Sequence, residues 1–307
     1  MSSAFFIAEE VRTALAENRA VVALETSVVA QGLPAPHNVR AAALCETAIR
    51  QAGAVPATVA VLNGQLRVGA TPHEVERLAD LARTGAVAKA GARELALICA
   101  RGENAGTTVS GTLVACRLAG IRVFATGGIG GVHRRLSALE PLDVSADLAE
   151  MAATKTAVVC AGAKSILDLL STMETLETLG VPLFGLGVSQ VPAFFHNESG
   201  LPIANVSLEE TAAALLLRWG PIAQTGGALV ANPVPSEVAL PRTLVEEAIE
   251  SALASASREG IRGAAVTPYL LKEVAARAAG RTLQTNVAVL ESNARAAARL
   301  ACLLASA

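Results

Sequence analysis

The sequence predicts an α/β fold, a mixed central β-sheet flanked by helices, built as a single large domain over residues 1–307. Three observations carry that expectation. Short apolar runs rich in Val and Ala alternate with helical patterns along the chain, several of them ending in glycine or polar residues. No linker, repeat or low-complexity tract divides the sequence, and Gly and Pro are spread throughout. Hydrophobic residues make up 52% and aromatics only 3%, so the core is built from Ala, Val, Leu and Ile, a mixture suited to close helix–sheet packing.

The first strand-like run, VVALETSVVA at 21–30, is followed by a helix from Val39 to Ala52. PATVAVLNG and QLRVG, at 56–69, read as a hairpin because Asn63-Gly64 suits a tight turn. Thr71-Pro72-His73-Glu74 forms a capping box with proline at the first helical position, so a helix starts there. Further strands are expected at 121–126, 156–162, 181–186 and 227–232. Helical patterns fall at 108–119, 145–153, 164–179, 208–218, 242–258 and 268–279, and a last one runs from about Ala288 to Ala305. The pattern leaves the lateral order of the strands open.

Charge and length exclude several classes of function. The chain is long enough for a substantial core. A net charge of −2 offers no electrostatic attraction for nucleic acid or an anionic membrane, so any phosphate must be held by a few local donors. Mean hydropathy is +0.46, yet TAAALLLRWG and CAGAKSILDLL are cut by charge or glycine well short of the ~20 residues a spanning helix needs. MSSAFFIAEEVRTALAE lacks a basic start and reaches Glu9 and Glu10, so it is not read as a secretory signal. Cys45, Cys99, Cys116, Cys160 and Cys302 are odd in number and dispersed, which suits small core residues of a reduced, cytoplasmic protein.

Some segments carry residues that packing alone does not require. ATGGIGGVHRR (125–135) fails the G-x-G-x-x-G fingerprint, because the third position is His133, and no P-loop motif is present. What remains is either a tight turn or a loop whose amides approach an anion beside His133 and Arg134. LDVSADLAEMA (142–152) opens with Asp143, Ser145 and Asp147; these residues cap a helix, or a carboxylate there holds a hard divalent cation. Thr107, Thr108 and Ser110 stand near the start of a helix, where capping and phosphate binding are both open. Lys89 lies in a run of small residues. Glu25 stands within an apolar strand-like run, where burial makes a carboxylate costly and a candidate proton donor.

Lys164 poses the sharpest question. It falls in TAVVCAGAKSILDLL (156–170), where a strand is expected to pass into a helix. An ordinary lysine there snorkels to water or pairs with Asp168. Against this, a cation at a helix N-terminus opposes the dipole, and lysine ahead of aspartate is the poorer order for such a pair. A desolvated lysine instead serves as a nucleophile.

Together these stretches resemble the pseudouridine-5′-phosphate glycosidase family. The resemblance runs from about Val21 to the final helix and rests on ALETSVVAQGLPAPHN, VAKAG, TTVSGT, FATGGIGGVHR, DVSADL, VVCAGAKSILDL, VPAFF and ANPVP, in the family's order. It implies reversible cleavage of the C–C glycosidic bond of pseudouridine 5′-phosphate to ribose 5-phosphate and uracil, with manganese assisting. By the same resemblance Lys164 is the nucleophile and Glu25 the proton donor. Lys89, Val109 and Ser145-Ala146-Asp147 contact substrate, Asp143 is the metal ligand, and His133 and Asn286 match positions associated with uracil. A homotrimer is implied as well. Two departures stand out: the order Thr26-Ser27 beside Glu25, and a longer loop from Arg135 to Leu142.

The implied chemistry agrees with the residues. Carbon is a poor leaving group, so the paired carboxylates of ordinary glycoside hydrolysis do not suffice. An amine at C1′ with a nearby acid opens the ribose and allows an iminium adduct. For the phosphate, Lys89, the Thr107–Thr108 turn and the glycine loop are the candidates. A Schiff-base aldolase or lyase on another phosphosugar would use the same lysine and ignore uracil. A non-catalytic phosphosugar-binding protein would keep its affinity in Lys164→Ala.

Overall fold

The computed structural model describes residues 4–135, 141–261, 266–277 and 280–307. The chain opens with strand β1 (Phe5–Ile7), helix α1 (Glu9–Ala16) and strand β2 (Val21–Leu24), the last buried along its whole length. The strand-like run predicted to reach Ala30 stops at Leu24. Thr26 breaks it: its carbonyl accepts the amides of Val29 and Ala30 at 3.1 and 3.0 Å, and its hydroxyl donates to Val59 O at 2.7 Å. Such local bonds compete with a strand ladder. A π-type turn at Val28–Gly32 then leads to α2 (His37–Gln51).

The predicted hairpin forms from β3 (Val55–Leu62) and β4 (Gln65–Val68), with Asn63 and Gly64 at φ 50° and 74°. The predicted capping box opens α3 (Pro72–Arg83). Next come β5 (Val87–Ala90), α4 (Leu95–Ala100), β6 (Asn104–Thr107) and α5 (Val109–Ala119). Of these only α5 was legible: VAKA and NAGT have little β-propensity, and tertiary pairing makes them strands. The middle of the chain holds β7 (Val123–Ala125), β8 (Val132–His133), α6 (Ala146–Ala153), β9 (Ala157–Cys160), β10 (Leu167–Asp168) and α7 (Leu169–Thr178). It ends with β11 (Leu183–Leu186), β12 (Ala204–Val206), α8 (Leu208–Trp219), β13 (Ala228–Ala231), α9 (Arg242–Arg258), α10 (Val266–Arg277) and α11 (Arg281–Ala305).

Seven strands run parallel in the order β3-β2-β7-β9-β13-β11-β12. The long β3 joins two regions. Val55–Thr58 lie beside β2, while Val59–Leu62 turn to antiparallel pairing with β4, and Ala60 and Val61 pair with β6. β5 extends that side along β6, and β1 along β4. Side chains alternate between faces with the strand period. Val21, Ala23, Val158 and Cys160 join one core with α5, α6 and α7; Val22, Leu24, Ala157 and Val159 join another with α2, α8 and α11.

The helix expected at 164–179 begins only at Leu169, where Asp168 caps it by accepting the Ser171 amide at 3.0 Å. Residues 164–168 instead form a turn and the short β10, paired with β8. Asp168 is therefore a cap and not the partner of Lys164. The last helix starts at Arg281, seven residues before the expected Ala288, which brings Asn286 into it. The longer loop near 135–142 lies largely at 136–140, outside the described residues.

Candidate active site

In parallel sheets, ligands bind beyond the carboxyl ends of the strands, where the lateral order reverses. Here β2 has its successor β3 on one side and β7 on the other. Glu25 directly follows β2 and Thr126 directly follows β7, and the Thr126 hydroxyl donates to Glu25 Oε1. Ser27 donates its hydroxyl to Oε2. Glu25 is thus half-buried at a strand end with both oxygens bonded by hydroxyls, not inside a strand as the sequence suggested.

Lys164 comes four residues after β9. Its amide donates to Ile129 O at 3.1 Å and its carbonyl accepts from Leu167 N at 3.0 Å, so the turn is fixed on both sides. The side chain is half-buried and lines a cavity of about 420 Å³ with Glu25. β5 supplies Lys89, which is exposed, and the start of α5 supplies Thr108, Val109 and Ser110. His133 of β8 and Ser145, Ala146 and Asp147 complete the ring.

Asp147 explains why the glycine loop and α5 meet here. It is buried, and its carboxylate accepts the Ser110 amide and the Gly130 amide, each at 2.8 Å. Ser145 caps α6 by accepting the Asp147 amide at 3.2 Å. Glycine at 130 is needed for this approach, since a Cβ would lie 2.4 Å from Ser145 Oγ.

Two of the phosphate donors expected from sequence are already engaged. Thr107 is fully buried, and its hydroxyl donates to Val59 O at 2.8 Å. Four amides of the glycine loop have internal acceptors: Ile129 to Gly162 O, Gly130 to Asp147, Val132 to Thr172 Oγ1 and His133 to Asp143 O. These four bonds pack the loop against its neighbours. Lys89, Thr108 and Ser110 line the cavity.

A second lobe of about 140 Å³ shares Glu25, Ser27 and Lys164 with the first. Its walls are Leu33, Phe194, Phe195 and Leu290, with Asn286 and Ser165 as polar members. Phe194 and Phe195 meet edge-on, centroids 4.8 Å apart, and Phe194 holds φ at 67°. The two residues expected to carry the chemistry therefore stand where a polar lobe meets a largely apolar one.

A family model described as indigoidine synthase A like protein matches residues 10–303. The chain is 50% identical to a pseudouridine-5′-phosphate glycosidase of Myxococcus xanthus, covering 95% of this chain and 96% of that one. It is 46% identical to the one from Caldanaerobacter subterraneus subsp. tengcongensis, covering 96% and 95%. The chain belongs to the indigoidine synthase A-like family, that of the pseudouridine-5′-phosphate glycosidases. Solved structures agree. A crystal structure of the prealnumycin C-glycosynthase AlnA with ribulose 5-phosphate superposes with a TM-score of 0.91 at 39% identity, covering 100% of this chain and 98% of that one. An indigoidine synthase A-like protein of Thermotoga maritima gives 0.86 at 34%, covering 98% and 96%.

Within this family member, Asp143 stands apart from both lobes. It is exposed, and its carbonyl takes the His133 amide at 2.9 Å. Among the described residues no three of His, Cys, Asp or Glu gather to hold a metal. One carboxylate open to solvent fits a hard, largely hydrated divalent cation and no closed protein cage. The five cysteines are free; Cys45, Cys116 and Cys160 are buried in the core, where burial pushes the Cys45 and Cys160 thiols up to about 12, while Cys99 and Cys302 are half-buried. No described helix is long and apolar enough to cross a membrane.

Sequence reading missed Ser27, Thr126, Ser165, Phe194 and Glu94, all of which line the two lobes. Thr126 and Phe194 lie inside quoted motifs, and for Thr126 its position directly after a strand was the available signal. Glu94, which pairs with Arg93 at 2.7 Å, carried none.

Proposed function

We propose that this enzyme reversibly cleaves the C–C glycosidic bond of pseudouridine 5′-phosphate, giving ribose 5-phosphate and uracil. The observation that carries the reading is the place of Lys164 and Glu25 on the walls shared by both lobes. The polar lobe suits a phosphosugar, with Lys89, Thr108 and Ser110 for its phosphate. The largely apolar lobe, with Phe194, Phe195 and Asn286, suits an aromatic base. Relatives named for this activity, at 46–50% identity over nearly the full length, support it.

In the cleavage direction the Lys164 amine bonds to C1′ as the ring C1′–O bond breaks, and Glu25 gives its proton to that oxygen. Proton delivery to C5 of the base, together with electron release from the lysine nitrogen, breaks C1′–C5. Uracil leaves, and the sugar stays on Lys164 as an iminium. Water then adds, and the C–N bond breaks to free the aldehyde of ribose 5-phosphate. Attack, protonation and departure at adjoining positions convert one difficult bond cleavage into easier steps.

The cation expected from the resemblance is manganese, which Asp143 would hold. When bound, it orders water and substrate oxygens. A homotrimer in the cytoplasm belongs to the same proposal, and sedimentation checks the first part.

The test is synthesis: incubate the protein with uracil, ribose 5-phosphate and Mn²⁺ and follow pseudouridine 5′-phosphate. Product from the wild type and none from Lys164→Ala is expected. Borohydride with ribose 5-phosphate should trap an adduct on Lys164, and its absence would sink the covalent step. The likeness to a C-glycosynthase favours a second reading, in which the base is another aromatic carbon nucleophile. An adduct that forms while uracil is ignored would select it.

A further inference from the structure

The backbone beyond β7 is held from behind by α11. Asn293 of that helix is fully buried. Its Nδ2 donates to Thr126 O at 2.8 Å and reaches Gly127 O at 3.4 Å. Its Oδ1 accepts from Asn232 Nδ2 at 2.9 Å. Asn232, the residue after β13, also donates to Ser292 Oγ at 3.0 Å and through its own amide to Cys160 O at 2.9 Å. The Asn293 side chain thus ties together the ends of β7 and β13, and the Asn232 main-chain amide extends the link to the end of β9.

A buried amide costs stability unless it is bonded, and its neighbours in the stripe, Leu290, Ala294 and Ala297, show that the helix packs without one. What the amide adds is a fixed position for the Thr126 peptide. The hydroxyl of Thr126 in turn bonds Glu25 Oε1. We propose that Asn293 is a positioning residue for Glu25, acting through the Thr126 peptide and anchored by Asn232. The inference rests on Glu25 being the proton donor of the proposed reaction.

The experiment is a double-mutant cycle on C–C bond synthesis from uracil and ribose 5-phosphate, using Asn293→Ala and the near-isosteric Thr126→Val. Loosening an acid from its productive geometry lowers rate by about 10- to 100-fold. Each single variant should lose kcat in that range with KM for ribose 5-phosphate within about twofold. The double variant should lose no more than the worse single, because both act on one hydrogen bond. Losses that multiply, or an Asn293→Ala kcat within twofold of wild type, would overturn the inference. Should Asn293→Ala fail to fold, Asn232→Ala takes its place in the same cycle under the same criteria.

Hydrogen exchange gives a reading independent of turnover. In Asn293→Ala, amides of the peptide spanning 123–131 should exchange at least about tenfold faster, with α8 unchanged. Unchanged exchange at 123–131 sinks this inference whatever the turnover, whereas a wild type that forms no C–C bond sinks the proposed function alone.

Discussion

Ser165 stands beside Lys164 with a side chain only 4% exposed and a hydroxyl that finds no partner among the described residues. Leaving such a donor unpaired costs about 1–3 kcal/mol. Ser165→Ala is therefore expected to stabilise the ligand-free protein by about 1 kcal/mol, read as a higher urea midpoint at unchanged slope. A lower midpoint would mean that the hydroxyl is bonded. At this scale the sequence is partly legible. Glu25 and Lys164 stood out because charge is costly in apolar runs. Asn293 did not, because a polar residue on a helix reads as a solvent face until the neighbours on every side are known.

The turn after β9 decides where Lys164 points, and its geometry depends on Gly162. That residue has φ of 81°, and a Cβ there would lie 2.0 Å from Pro192 O. Gly162→Ala combines left-handed strain with a backbone clash. It is expected to cost about 2–4 kcal/mol in urea unfolding and to lower kcat more than KM for ribose 5-phosphate, since Lys164 is two residues on. A variant with wild-type kcat would show that the turn does not aim the lysine. Helix ends were legible where caps were local: the Thr71–Glu74 box was read directly. The start of α7 was not, because Asp168 caps it only once residues 164–168 are drawn off to pair with β8.

Across the whole molecule, the loop carrying Phe194 and Phe195 is coupled to global stability through His196. That imidazole is buried, and burial lowers its pKa from the ordinary value. Glu246 and Glu198 oppose the shift and Arg242 reinforces it, while Nδ1 accepts the Glu198 amide at 3.3 Å. The unfolded chain takes a proton near pH ~6.5 and the folded one only below that. The unfolded state therefore binds more protons as the medium turns acid, and stability falls below pH ~6.5. Glu46 works in the opposite sense: burial raises its pKa, so its contribution improves as pH falls. Urea midpoints at two pH values should show a smaller acid loss in His196→Gln than in wild type; equal losses would place the titration elsewhere.

By itself the sequence determined the α/β alternation, the hairpin, most helices and, through its resemblance, the family. These are local properties: periodicity, turn residues and caps act over a few positions. Tertiary structure alone decided the strand order, the meeting of Glu25 with Thr126, the two lobes that share Lys164, and the internal bonding of Thr107 and of four amides of the glycine loop. Runs such as VVAL, AVVC and ALVA bury equally well in any lateral order. Only long-range pairing chooses which strand ends stand side by side, and therefore which side chains share a cavity.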